Sequence, residues 1–476
     1  MRSNDRRLTT DDGLGGGASN GLLRFGAFLA AAAVLAVGLL NRGGNADARW
    51  LLALAASAPF LAILLWPRLP RELPTFNRTV VRLGTLLVVA FLLTSIHLVR
   101  IQIVRANQLA TESHETAGGE IIANPRVLRE TLRQERGRIL DRRGGVIAGT
   151  TTTPEGYAIR DYPSPSSYIA GYYSPALYGL AGLEDEYDEY LTGSAGDNPA
   201  AVLGRELLHR PVVGNDLQLT IDLRLQEVAD AALGGRPGAV VALDPRTGAI
   251  LALASAPHID PQRLVIDPRK DERQEAARAQ AYWAAITSEG AGGPLVPRAT
   301  QGLYVPGSTF KTVTVSAALD ARRTSPDRVY PDPGEIVIEG HRIVELNRPE
   351  PVKNEYTLTE GYLYSLNIVF AQVGLNDLGT VLMNEYTKKF GFGERIPFEL
   401  PVAESRVSTD PNFLSSKPAL ADTAFGQGEL QVSPLHMALV AATVANGGKM
   451  PQPYLVGKIL SPEGETLRET RPRTWR

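Results

Sequence analysis

Two pairs of residues in this chain have types and spacings that could do chemistry. In YVPGSTFKT (304–312), Ser308 and Lys311 form the chain's Ser-x-x-Lys, directly after a Pro-Gly breaker. TFKTVTVSAALDA then reads as a helix with Phe310, Val313, Ala317 and Ala318 on its apolar side. A serine at a helix head is often an N-cap and no more. As a catalytic pair, it would have the lysine one turn away, with about 5–6 Å between Cβ atoms. Burial would depress the lysine pKa, and the neutral amine could take the serine proton. The second pair is Ser365 and Asn367 in YSLNIVF. A hydroxyl and a carboxamide could carry a proton to a leaving amine and hold a substrate amide. Each pattern is short and weak alone.

The rest of the composition narrows the chemistry. Net charge is −2, from 49 basic and 51 acidic residues, which offers no global attraction to nucleic acid. Cysteine is absent, which excludes disulfides and thiol nucleophiles. The six histidines are scattered without ligand spacing, so neither a metal nor a cofactor is expected.

The catalytic pairs must be positioned by a chain with a membrane section. Apolar runs at 21–40, 50–66 and 83–99 are each near the roughly 20 residues that cross a bilayer. Arginines crowd the amino-terminal tail (Arg2, Arg6, Arg7) and the loop before the third run (Arg68, Arg71, Arg78, Arg82), with Arg42 and Arg49 between the first two. The positive-inside rule therefore puts the tail and that loop in the cytoplasm, and residues beyond 105 outside.

That outer part begins with a polar, Gly-, Pro- and Tyr-rich stretch. QERGRILDRRGGVIAGT reads as strand, charged turn and strand, with Arg136, Asp141 and Arg142 as an ion-pair cluster or, less simply, a ligand site. YGLAGLEDEYDEYL reads as a short acidic helix whose five acids from Glu184 to Glu189 form a solvated face. In NDLQLTIDLRLQEVADAAL a strand precedes a helix starting near Asp222, with Leu225, Val228, Ala229 and Ala232 as its apolar face. GAVVALDPRTGAILALAS reads as a hairpin apolar on both faces, hence central in a helix-covered sheet. The segment 263–298 reads as a charged helix and a glycine loop, without chemistry.

In order along residues 135–460 come ERGRILDRRG, GLAGLEDEYDEYL, LTIDLRLQ, GAVVALDPRTGAILALASAP, YVPGSTFK, YSLN, FGFGERIPFELP and FGQGELQVSPLHMALVAATVANGG. Through these the chain resembles the class B penicillin-binding proteins, monofunctional peptidoglycan D,D-transpeptidases of cell wall synthesis. The resemblance implies an α+β molecule: transmembrane helices within 1–105, a β-rich pedestal over 106–232, and a penicillin-binding/serine β-lactamase-like transpeptidase domain over 233–476 with an antiparallel sheet flanked by helices. It implies that Ser308 is the acylated nucleophile, Lys311 its base, Ser365 a proton relay and Asn367 a binder of the peptide stem. The implied partners are peptidoglycan stem peptides, β-lactams, the membrane, and a polytopic glycan polymerase of the shape-elongation-division-sporulation group. The family's third motif, Lys-Thr-Gly or Lys-Ser-Gly, has no counterpart after the Ala-Asn-Gly-Gly at 445–448. The expectation is a carboxyl-terminally incomplete domain, with an impaired fragment or scaffold as the alternative. Three spans also depart from the family's usual one. A β-lactam sensor or β-lactamase is disfavoured by the long pedestal.

Overall fold

The structure is a computed structural model that describes residues 15–40, 46–70, 72–104, 114–115, 121–122, 132–195 and 213–476. Two compact units divide it, Met1–Val127 and Leu128–Arg476.

The first unit holds helices α1 (Gly15–Leu40), α2 (Ala46–Leu65) and α3 (Thr75–Val99). All three are long and apolar enough to cross a membrane, and the third apolar stretch runs from Thr75 to Gln102, starting earlier than the hydropathy run at 83. Most of their large side chains, such as Leu22, Phe28, Leu52, Leu87 and Phe91, face outward. Lipid would cover such a surface. Gly38 permits close approach of α1 to α2, because a Cβ there would lie 2.8 Å from the Ala53 methyl. Trp50 is fully buried and donates its indole N–H to Nδ1 of His97 at 3.0 Å, tying α2 to α3. Of the arginines used to orient the spans, Arg2, Arg6, Arg7, Arg42 and Arg71 lie outside the described residues.

In the second unit the labelled elements, in chain order, are strands β1 (Ile139–Leu140), β2 (Val146–Thr152), β3 (Ala158–Asp161) and β4 (Asp216–Leu219), then helix α4 (Leu223–Leu233). The hairpin follows as β5 (Gly238–Leu243) and β6 (Ile250–Ala256), then α5 (Glu272–Thr287) and α6 (Lys311–Asp320). Strand β7 (His341–Val344), helices α7 (Asn367–Gln372) and α8 (Pro434–Ala445), and strands β8 (Val456–Leu460) and β9 (Thr466–Glu469) complete the set.

A six-stranded sheet has the order β9-β8-β4-β1-β2-β3. Only its β1–β4 pair is parallel, with Ile139 opposite Leu217. The sheet thus takes strands from both ends of the unit. Beneath it lies an ion cluster. Arg136 and Arg160 each donate Nε–H to Glu184, at 2.7 Å, and the Tyr162 hydroxyl donates to the same carboxylate at 3.0 Å. Glu184 is 0% exposed, which removes it from the solvated acidic face expected there, whereas Asp185, Glu186 and Glu189 are exposed as expected. Burial would raise its pKa, but the two guanidinium groups override that and hold it below the ordinary carboxylate value. The segment containing it folds as a short strand, Gly179–Ala181, and two one-turn helices rather than one helix. Arg136 also pairs with Asp188, whereas Asp141 accepts from the backbone N–H groups of Arg143, Gly145 and Leu223. The Arg136 cluster is therefore structural.

Helix α4 begins where expected, with Asp222 capping Arg224 N–H. Its buried face is Gln226 and Ala229, whereas Leu225 and Val228 are exposed, Val228 to 67%. Of the apolar face read from sequence, Ala229 is buried as expected, whereas Leu225, Val228 and Ala232 face out. Gln226 wins the inward position because its amide finds partners there: its Oε1 accepts Leu253 N–H of the hairpin at 2.7 Å and its Nε2 donates to the hydroxyl of Tyr168, in the turn Pro165–Ala170.

The β5–β6 hairpin forms with Val241 opposite Leu253. Ala252 and Ala254 pack on α4, while Leu253 and Val241 join the main core on the opposite face, where α8 and the short helix Arg298–Gln301 lie. It is a two-stranded sheet among the described residues, not the middle of a larger one. β6 is almost wholly buried and β5 half-buried throughout.

Candidate active site

The Ser308 region starts with a short 3-10 turn, Gly307–Phe310, that runs into α6. Ser308 is inside that turn, and the capping position, Pro306, makes no side-chain cap bond. The N-cap account of this serine therefore fails. Phe310 and Val313 are fully buried and pin the helix in the core. The turn is held from the other side by backbone alone: Gly307 N–H donates to Gly426 C=O at 2.9 Å. Gly426 has φ +89, and a Cβ there would lie 1.7 Å from Gly307 O. Glycine is required at that approach.

Ser308 is exposed and opens on a cleft of about 460 Å³ lined also by Thr309, Thr312, Tyr362, Met437, Val440 and Ala441. Lys311, one turn on, is only 1% exposed. Its Nζ lies 3.2 Å from Ser308 Oγ, 3.0 Å from Ser365 Oγ, 2.6 Å from Ser365 O and 2.8 Å from Asn367 Oδ1. All four residues singled out from sequence thus meet at one amine. Burial lowers the Lys311 pKa from 10.5 to about 8, with the charge of Glu345 opposing the drop. A neutral amine has two N–H bonds and a lone pair. The two N–H bonds suit the Ser365 carbonyl and the Asn367 carboxamide oxygen, which can only accept, and the lone pair is left for a hydroxyl proton.

Ser365 reaches this point through a strained backbone. A one-turn helix, Leu358–Leu363, is started by a Thr357–Glu360 capping box. Ser365 then takes φ +61, in the left-handed region, and Leu366 N–H returns to Gly361 C=O at 2.8 Å. The chain reverses and presents Asn367 as the first residue of α7. Strain of this kind gathers where geometry is over-determined by function.

The family model for the penicillin-binding protein transpeptidase domain matches residues 238–475. The peptidoglycan D,D-transpeptidase PbpA of Mycobacterium tuberculosis is 34% identical over 356 residues, covering 71% of this chain and 68% of its own length. The chain is a class B penicillin-binding protein. The MrdA transpeptidase of Escherichia coli is 30% identical over 303 residues, 60% of this chain and 46% of its own. Among solved structures, penicillin-binding protein A from M. tuberculosis in a ceftriaxone acyl-enzyme complex is similar with TM-score 0.65 and 30% identity, over 73% of this chain and 77% of that one. This class B protein therefore has the mixed helix-and-sheet transpeptidase fold that the sequence motifs implied.

Two site residues escaped sequence reasoning. Gly426 lies in FGQG, a motif visible in the sequence, but its close approach to Gly307 is a tertiary fact. Glu345 follows the mixed strand HRIV, with no spacing that flags it. It is buried, and its carboxylate accepts Ile368 N–H in the first turn of α7.

Proposed function

We propose that this chain cross-links peptidoglycan stem peptides through an acyl-enzyme at Ser308, and that β-lactams acylate the same oxygen. Lys311 Nζ takes the Ser308 proton as Oγ attacks the D-Ala-D-Ala carbonyl. The C–N bond breaks, Ser365 relays the proton held by Lys311 to the departing D-Ala amine, and Asn367 holds the stem amide. An amine of a second stem then attacks the ester, and Ser308 recovers its proton. The observation that carries this reading is the convergence of both serines and Asn367 on a buried amine. Fluorescent penicillin should label the full chain in membranes. Ser308→Ala should abolish the label and Asn367→Ala should slow it. A label that persists on Ser308→Ala and maps to another serine overturns the assignment.

A second reading is a chain that keeps the fold, acylates poorly and serves as a docking partner. It is favoured by the open outer edge of β5, beside which no further strand pairs among the described residues. Labelling many orders slower than for family members would support it.

The three apolar helices support a multi-pass anchor, with 106–232 as pedestal and 233–476 as transpeptidase domain outside the membrane. Their outward apolar faces would suit a polytopic glycan polymerase. Alkaline phosphatase fused after residue 120 should be active in a bacterial host; an inactive fusion there, with an active one near residue 75, reverses the orientation.

A further inference from the structure

Glu345 follows β7 and is 6% exposed. Every acceptor position it uses is backbone: Oε1 takes Leu346 N–H at 3.1 Å and Asn347 N–H at 3.2 Å, and Oε2 takes Ile368 N–H at 3.0 Å. Its own N–H donates to Gly334 C=O at 2.9 Å. Helix α7 lacks a side-chain cap of its own, since its capping position is Leu366. A carboxylate from a distant strand thus fills the missing cap and ties the residue next to Asn367 to β7. The groups facing Lys311 are the hydroxyls of Ser308 and Ser365, the Ser365 carbonyl, the Asn367 amide and the Phe370 ring, whose centroid is 5.5 Å from Nζ. None of these carries a charge. Glu345 is the ionisable group whose charge acts on the amine.

We propose that Glu345 is a positioning residue for acylation: it fixes the helix bearing Asn367 and supplies the negative charge that offsets the ammonium formed when Lys311 takes the Ser308 proton. The inference rests on the acyl-enzyme reading for its catalytic half only. In the fraction of molecules competent to react, Lys311 is neutral and has little need of a counter-charge. Once the proton moves from Ser308 Oγ to Lys311 Nζ, a cation stands on a side chain only 1% exposed, where an unpaired charge is costly. Glu345 offsets that cost without touching substrate.

The test compares Glu345→Gln, which keeps size and loses charge, with Glu345→Asp, which keeps charge one methylene shorter. Two readouts are taken on the full chain: the titration midpoint of Lys311 by NMR of its labelled Nζ, and the pH profile of penicillin acylation. In Glu345→Gln, the Lys311 midpoint is expected to fall below its wild-type value, the rising limb of acylation to move to lower pH with it, and the plateau to drop roughly tenfold. Glu345→Asp should return the midpoint and limb toward wild type. A Glu345→Gln protein whose Lys311 midpoint is unchanged overturns the proposal, whatever its melting temperature does, because a purely structural cap would not move that midpoint. If wild type shows no acylation at Ser308, the acyl-enzyme reading fails instead, and the NMR midpoint still decides whether Glu345 acts on Lys311.

Discussion

The depressed Lys311 pKa gives acylation a defined pH dependence. With a value of about 8 in place of 10.5, roughly one Lys311 in eleven is neutral at pH 7, against about one in three thousand for an ordinary lysine. Burial thus supplies a gain of about 300-fold in available base at pH 7. The second-order rate of penicillin acylation, measured by stopped flow from pH 5.5 to 9.5, should rise about tenfold per unit below the midpoint and level off above it. Lys311→Ala should remove the limb and cost on the order of 10²–10⁴ in rate. The same depression bears on stability: the folded chain releases this proton before the unfolded chain does. Stability from this group therefore rises as pH climbs from about 8 to 10.5. A flat profile between pH 6 and 9, or a midpoint at the ordinary lysine value, refutes the argument that burial tunes this amine.

Other outcomes follow from single contacts. Gly426→Ala should displace Gly307 and collapse acylation by more than about tenfold with the protein still folded, because the new methyl meets backbone that cannot rotate away; penicillin kinetics with circular dichroism would check it. Ser365→Gly should be more stable than Ser365→Ala by about 1 kcal/mol in urea unfolding, since both lose the hydroxyl but only glycine relieves the φ of +61. Glu184→Ala should destabilise the second unit by about 3–5 kcal/mol by stranding two buried guanidinium groups. In wild type, the Glu184 contribution should hold above the ordinary carboxylate value of 4.5 and fade as pH drops through its lower folded value, as read by acid titration of the melting temperature.

The nucleophile helix and its partners were legible because catalytic spacing is local: Ser308 and Lys311 share one turn, and Ser365 and Asn367 flank one reversal. The strand–turn–strand at 139–152, the Asp222 cap and the hairpin were legible for the same reason. What failed needed a tertiary partner. Gln226 displaced Leu225 and Val228 from the inward face because Leu253 N–H waited for it. Glu184 went inside because Arg136 and Arg160, 48 and 24 residues earlier, arrive from other segments. Glu345 is invisible in sequence for that reason too; its partner Ile368 lies on a helix formed later in the chain.

The Glu184 cluster also sets how the second unit meets its surroundings. Exposed pairs such as Lys458–Glu469 and Arg342–Glu335 weaken as mobile ions gather around them. Glu184, fully buried between two arginines, is out of reach of those ions. Its two arginine contacts are therefore screened far less than those surface pairs, so added salt should weaken the outer Arg136–Asp188 contact, whose carboxylate is half-exposed, well before the inner clasp that joins three segments of the second unit.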